Sequence, residues 1–254
     1  VHIFTGYEVN FLDVGQGDGI AIRTHDAFIT VDGGSSDVKN VGKYRIIPFI
    51  KYKGIRAIDY AIISHLDNDH VSGVRELLEQ SDNGGIKVRN IVLPKLLNKD
   101  DEYVEMEKLA HAMGVEVLYL KNGDSIEAGP LKIKCINPDI KNQMDDKNDN
   151  STVLDVKYKN FSMLLTGDIS SEVENNIEKN LAQKYTVLKV PHHGSRFSSS
   201  EKLLSKVSPK YSVISCGEGN SYGHPHIETI DRLNMHNTEI LRTDLIGEID
   251  FRME

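Results

Sequence analysis

The chain opens on short apolar runs cut by glycine and polar turns. Residues 9–14, 19–24 and 28–32 read as the strands of a meander. Residues 59–64, Asp-Tyr-Ala-Ile-Ile-Ser, form a buried-type strand that runs into a polar cluster. Val74, Leu77 and Leu78 then recur at helical spacing and predict a short helix over 72–80. The alternation continues with a strand over 87–93, a helix over 103–113 stopped by Gly114, and strands over 115–120 and 131–136. A loop rich in Asn, Asp and Lys follows at 139–150, of a size that suits a functional loop. Residues 152–158 and 161–166 predict a hairpin turning at Lys159 and Asn160. A helix is expected over 170–183, with Ser171 and Glu174 as a capping box and Val173, Ile177 and Leu181 on one face. A strand over 186–190 precedes a helix over 198–207, whose capping box would be Ser198 and Glu201. A strand over 211–216, a helix over 227–235 and two short strands complete the chain. Strands followed by strand–helix units, twice over, predict two stacked sheets with helices outside. No period of solenoid type is present.

This pattern puts one cluster directly after a buried strand: Ser64-His65-Leu66-Asp67-Asn68-Asp69-His70. A strand end places side chains at the sheet edge, where loops gather them. Imidazole nitrogens and carboxylate oxygens in such density suit one or two divalent cations. A polar turn capping the next helix would need fewer of them. Two later segments add histidines at strand ends, Pro191-His192-His193-Gly194-Ser195 and Tyr222-Gly223-His224-Pro225.

The pattern His-x-Asp-x-Asp-His resembles the metallo-β-lactamase superfamily, whose usual form has a second His where Asp67 stands. Other landmarks occur in the family's order. Val31-Asp32-Gly33-Gly34 matches the early aspartate that supports the site. Leu165-Thr166-Gly167-Asp168 matches the aspartate that bridges two metals, and the two histidine segments follow. Where the family has a further His, this chain has Asn150-Ser151. The resemblance implies an α/β fold, a metallo-β-lactamase-like αββα sandwich of two mixed β-sheets flanked by helices. It also implies two divalent metal ions. The oxygen-rich set favours manganese at least as well as zinc, with magnesium as a third option.

A narrower set, Phe11-Leu12-Asp13-Val14-Gly15-Gln16-Gly17-Asp18 with Asn150-Ser151-Thr152-Val153-Leu154, Asn220 to Pro225 and Arg242-Thr243-Asp244, is similar to the C-terminal domain of the ComEC family. These are channels that import DNA in bacterial competence, and that domain is thought to degrade the strand not taken up. The resemblance therefore implies a metal-dependent nuclease acting on DNA, with single-stranded DNA and the membrane channel portion of a parent protein as partners. No small organic cofactor is expected. Residues 1–254 read as one domain cut from a longer membrane protein, on the outer face of the cell membrane, or cytoplasmic if the domain stands alone. The start at Val1 rather than Met fits the first reading.

The resemblance assigns metal ligation to His65, Asp67, Asp69, His70, Asp168 and His224. Support from behind falls to Asp32, Asp18, Asn150 and Ser151. Asp69 would also orient the attacking water. His192 and His193 stay open: either ligates metal in place of His224, or one serves as general acid, as in the ribonuclease Z branch. Gly194-Ser195, ahead of a helix expected at Ser198, reads equally as a phosphate seat and as a plain cap, so Ser195 joins the catalytic candidates. Gly15-Gln16-Gly17-Asp18 reads as a tight hairpin, with Gln16 or Asp18 facing the site by resemblance. His2, His25, His111, His226 and His236 read as ordinary surface residues, and Cys135 and Cys216 as core thiols.

Composition narrows the class. Among 254 residues, 38 are acidic and 30 basic, a formal charge of −8 that argues against coating nucleic acid by bulk charge. Two cysteines are too few for a disulfide framework, and no apolar run reaches membrane-spanning length. One stretch departs from the acidic balance. From 38 to 58, Lys39, Lys43, Arg45, Lys51, Lys53 and Arg56 occur without an acid, interleaved with Tyr44, Phe49 and Tyr52. Such a strip suits a phosphate backbone and unpaired bases, or an ordinary solvated face with the aromatics buried. Two rival functions remain. One is a hydrolase of a small ester, lactone or phosphate. The other is a DNA-binding module with a degraded metal site.

Overall fold

A computed structural model describes residues 6–80 and 85–253. His2 lies outside the described residues.

Two seven-stranded sheets stack face to face. The first runs β16-β1-β2-β3-β5-β7-β8 and the second β15-β14-β13-β12-β11-β10-β9. In the first, β1 (Tyr7–Phe11), β2 (Ile20–Arg23) and β3 (Phe28–Val31) form the expected antiparallel meander, edged by β16 (Ile249–Met253). From β3 onward β5 (Tyr60–Ile62), β7 (Asn90–Pro94) and β8 (Glu116–Leu120) are parallel. The second sheet repeats this mixture. β9 (Ser125–Ala128), β10 (Leu131–Asn137), β11 (Val153–Tyr158) and β12 (Phe161–Leu165) are antiparallel. β13 (Val187–Lys189), β14 (Tyr211–Ile214) and β15 (Glu239–Arg242) continue in parallel. A small pair, β4 (Ala57–Ile58) with β6 (Lys87–Val88), stands apart.

Side-chain parity explains the layers. Successive strand residues point to opposite faces. Val9, Phe11, Ile22 and Ile29 of the first sheet meet Ile133, Val156, Met163 and Val187 of the second in the inter-sheet core. Residues of opposite parity, such as Ala61 and Ile91, pack outward on α1 (Ile47–Tyr52), α2 (Asn68–Gln80) and α3 (Asp101–Ala112). Leu164, Leu188 and Ile214 pack on α4 (Ser171–Ile177), α5 (Glu201–Val207) and α6 (Ile227–Met235). Each fully buried Val, Leu or Ile contributes roughly 1.5–3 kcal/mol. The αββα sandwich inferred from the sequence is the architecture found. No helix among the described residues is long and apolar enough to cross a membrane.

Several local expectations shift. The basic stretch is a π-helical segment, Gly42–Ile46, running into α1, so Ile46, Ile47 and Ile50 turn to the core while Tyr44 and Tyr52 stay exposed. Strand β9, Ser-Ile-Glu-Ala, is not among the strands expected; it alternates exposed and half-buried positions at the edge of its sheet. The expected helix over 170–183 ends at Ile177 and passes into a 3-10 turn, Glu178–Asn180. Its capping box does not form. Glu174 instead accepts backbone N–H bonds from Ser199 (2.5 Å) and Ser200 (2.8 Å), a pairing that ties two segments distant in sequence. The cap of α5 is Ser200, accepting from Leu203 N, because Ser198 donates to the Pro191 and Ser195 carbonyls. Cys135 and Cys216 are buried free thiols.

Candidate metal centre

The chain ends β5 between Asp32 and the start of α2. Asp32 follows β3 with φ +57 and uses both carboxylate oxygens: Oδ1 accepts from Ser64 N (2.7 Å) and Oδ2 pairs with His70 Nδ1 (2.9 Å). The next turn needs glycine. A Cβ on Gly34 would sit 2.5 Å from His70 N and Asp69 C, so only glycine lets this loop touch the first turn of α2. That turn carries Asp69 and His70. With Nδ1–H donated to Asp32, His70 turns an unpartnered Nε2 inward, 3.4 Å from Asp168 Oδ2.

The second sheet supplies the opposing groups. Asp168 follows β12 beyond Gly167, whose φ is +53. His192 and His193 follow β13 in a 3-10 turn, Pro191–Gly194, both with positive φ (+51 and +52). Non-glycine residues held there store strain, a cost concentrated at functional sites. Its effect is to separate two neighbours. His193 is buried and donates Nδ1–H to the Ser215 carbonyl (2.9 Å), which leaves Nε2 facing Asp168 Oδ2 (3.2 Å) and Asp69 Oδ2 (3.6 Å). His192 stays at the opening, its side chain 33 % exposed and 3.9 Å from Asp168 Oδ2.

Ligand-type atoms of Asp69, His70, Asp168 and His193 all lie within 4.8 Å of one another. His65 stands beside them, its ring 4.0 Å from that of His70. Its Nδ1 is near Ser64 Oγ (3.0 Å) and Ser151 Oγ (3.4 Å), and its Nε2 has no partner. Three buried imidazole nitrogens thus lack hydrogen bonds while facing carboxylates. Buried polar atoms are normally satisfied, so these fit a cation between them.

Charge divides the histidines. Burial and the neighbouring His70 push His65 down to about 3. For His70, burial acts downward, but Asp168 and Asp32 outweigh it and raise its pKa well above the usual value. His193 is likewise raised to about 9, as Asp168 and Asp18 overcome its burial. Burial opposes ionisation of Asp69 and Asp168, yet the facing histidines, with Lys189 for Asp168, hold both lowered. Both carboxylates therefore stay ionised at neutral pH.

The remaining candidates are placed as follows. Asp67 is partly exposed, paired with Lys147 from the 139–150 loop and 3.8 Å from His65 Nε2. Asn150 spends its side chain on Met144 and Asp146 of that loop, so of the Asn150-Ser151 pair only the Ser151 hydroxyl reaches a candidate ligand. Asp18 is buried against Lys189 and His193, whereas Gln16 accepts from Gly217 N. His224 lies at the rim, its ring stacked on Tyr222 (5.7 Å) and 5.6 Å from that of His192. His193, not His224, joins Asp69, His70 and Asp168. Ser195 is buried, its hydroxyl accepting from Phe197 N (3.4 Å); the helix begins at Glu201, so Ser195 does not sit at a helix start. In the basic strip, Lys53 pairs with Glu8 (2.6 Å) and Arg45 with Asp13 (2.8 Å), and Phe49 packs on the core. Lys39, Lys43 and Lys51 are exposed near the aromatics, and Arg56 is exposed at the strip's end. One buried group went unassigned in sequence: Lys189, whose only signal was a lysine closing an apolar strand.

A family model described as the metallo-beta-lactamase superfamily matches residues 12–218. The chain is 31% identical over 262 residues to ComE operon protein 3 of Bacillus subtilis (strain 168), covering 96% of this chain and 33% of that protein. It is 31% identical over 245 residues to competence protein ComA of Neisseria gonorrhoeae, covering 96% of this chain and 32% of that protein. The chain thus spans about a third of the length of these curated relatives. Among solved structures it is similar to the metallo-beta-lactamase fold protein YhfI from Bacillus subtilis. The TM-score is 0.66 at 11% identity, over 97% of this chain and 100% of that one.

Proposed function

The chain belongs to the metallo-beta-lactamase superfamily, and from that premise we propose that it is a metal-dependent phosphodiester hydrolase acting on DNA during competence uptake, where it degrades the strand not imported. One observation carries the reading: the unpartnered Nε2 atoms of His70 and His193 face the Asp168 carboxylate with Asp69 in the same group, and His65 brings a third unpartnered Nε2 beside them. That donor set fits divalent cations of the manganese or zinc type. Asp69, His70, Asp168 and His193 would hold one ion. His65 and Asp67 would hold a second against Asp168, and His224 would close the rim. A bound divalent cation supplies Lewis acidity, which polarises a phosphate and lowers the pKa of water.

The chain's own residues supply the rest. Asp69, with its side chain 19 % exposed, accepts a hydrogen bond from the incoming water and orients it. Asp32 and the Ser215 carbonyl hold His70 and His193 in the tautomer that leaves Nε2 free. His192 stands at the opening. Burial lowers its pKa, so it is mostly neutral before substrate arrives. A phosphate anion beside it restores proton affinity, and His192 then donates that proton to the leaving oxygen.

Two further features favour a polymer over a small ester. Tyr222 and Phe197 are 56% and 72% exposed, one stacked on His224 and the other just beyond His193 in sequence. Exposed aromatics beside a phosphodiester site suit stacking on unpaired bases. Lys39, Lys43 and Lys51 extend this with positive charge. The relatives named for competence support the uptake role. They are about three times the length of this chain, which supports reading residues 1–254 as one domain of a larger protein; a membrane channel as the remainder, with this domain on its outer face, is part of the proposal.

The test is incubation of metal-stripped protein with end-labelled single- and double-stranded DNA, adding manganese, zinc or magnesium in turn. Cleavage of single strands with manganese, abolished in Asp69→Ala, is the expected outcome. Hydrolysis of small esters or lactones with no DNA cleavage under any metal would replace the reading.

A further inference from the structure

Lys189 closes β13 and is 1 % exposed. Parity explains its direction. Val187 faces the inter-sheet core, Leu188 the helices, and Lys189 turns inward again at the level where the apolar core stops. There its ammonium meets Asp18 Oδ2 at 2.5 Å, the Gly167 carbonyl at 3.1 Å and Asp168 Oδ1 at 3.4 Å. Three acceptors match its three N–H donors, so no donor remains for a substrate. Burial alone would strip the proton, but Asp18 and Asp168 outweigh burial and hold it on.

The same region contains a second cation-type cluster, in which oxygens of Asp18 and Asp32 and a nitrogen of His70 lie within 4.8 Å of one another. Asp18 is 1 % exposed, and its Oδ1 has no hydrogen-bond partner. His70 turns to this cluster the Nδ1 whose hydrogen it gives to Asp32, so the oxygens left for a cation are those the ammonium itself meets: Asp18 Oδ2, the Gly167 carbonyl and Asp168 Oδ1. Buried and negative, that set has the chemistry to attract a divalent ion.

We propose that Lys189 is a resident cation: it fills the seat between Asp18, the Gly167 carbonyl and Asp168 so that no divalent ion enters there, and it engages Asp168 Oδ1 so that Asp168 presents Oδ2 to the group of Asp69, His70 and His193. Lys189 is thereby a positioning residue. It sets how many divalent ions the centre accepts and which oxygen of Asp168 faces them. Removing its charge leaves Asp18 and Asp168 uncompensated, and a divalent ion replaces it. The proposal rests on the metal-centre reading above.

Manganese binding to the metal-stripped full chain tests it, with stoichiometry from calorimetric titration and from metal analysis after dialysis. Lys189→Met keeps an unbranched side chain, one atom shorter, and drops the charge; it is expected to bind one more manganese per chain than wild type. Adding Asp18→Asn should abolish that gain. A lysine with a merely structural role predicts the opposite, fewer ions bound more weakly. A folded Lys189→Met chain with wild-type or lower stoichiometry overturns the proposal. If circular dichroism shows that Lys189→Met does not fold, Lys189→Gln, which can still hydrogen-bond Asp18 without the charge, is titrated in its place. One more manganese per chain than wild type upholds the proposal, and wild-type or lower stoichiometry overturns it. Wild-type protein that binds no manganese refutes the metal-centre reading itself, and that result is visible before any variant is compared.

Discussion

The floor and the rim of the candidate centre lie a few ångströms apart and obey different physics. On the floor, Asp18, Asp32, His70, Asp168, Lys189 and His193 are all buried, and each charged group has an opposite charge in reach. Their protonation is set by partners: carboxylates raise His70 and His193 and oppose the effect of burial. On the rim, His192 has the Asp168 carboxylate only at 3.9 Å and His224 stacks on Tyr222, so burial prevails. Burial lowers both, His224 to about 4. Adjacent residues can thus differ in surroundings, as His192 and His193 do, because a left-handed turn aims one inward and leaves the other at the opening. On the proposed function, the floor holds charge still and the rim meets substrate.

The comparison predicts effects that diminish from floor to rim. Asp168 faces His70, His193 and Lys189 together. Asp168→Ala should abolish manganese binding in calorimetry and lower DNA hydrolysis by at least about a thousandfold. A variant that kept its manganese would break the assignment of the floor.

The two neighbouring histidines offer a finer cut. His193→Ala should weaken manganese at least about 100-fold, whereas His192→Ala should retain manganese and lower kcat about 100-fold. Equal loss of metal in both would erase the distinction between floor and rim. Further out, Tyr222→Ala should raise KM for single-stranded DNA roughly 5- to 10-fold, the loss of one stacked base, with manganese affinity unchanged.

The smallest effect is a difference in titration. In metal-free protein, histidine resonances should place His224 near pH 4 and His193 near pH 9. The signs differ for stability. His193, raised on folding, stabilises fully below the unfolded value and loses that contribution as pH rises through about 9. His224, lowered on folding, costs stability as pH falls from the unfolded value toward about 4. Coincident titration of the two would show that the partner carboxylates do not govern the floor.

Much of this architecture was legible in the chain. Strands β1 to β3, the strand before the His65–His70 cluster and the 152–166 hairpin follow from short apolar runs bounded by glycine and polar turns, because strands covered on both faces are apolar almost throughout. Where partners came from far away, local reading failed. Glu174 looked like a cap for its own helix and instead binds the backbone at Ser199 and Ser200. The strip from 38 to 58 has no acid in sequence, yet Glu8 and Asp13 reach Lys53 and Arg45 across the fold.

By itself, the sequence determined the layered α/β fold and the chemistry available to the site, since residue types and their spacing along strands and first turns are local properties. Only the tertiary structure decided the grouping: His193 rather than His224 beside Asp168, Ser151 rather than Asn150 beside His65, and Lys189 locked onto Asp18. The reason is physical. Burial, opposite charge and a strained turn act over a few ångströms between segments that only the fold brings together, and no local pattern records them.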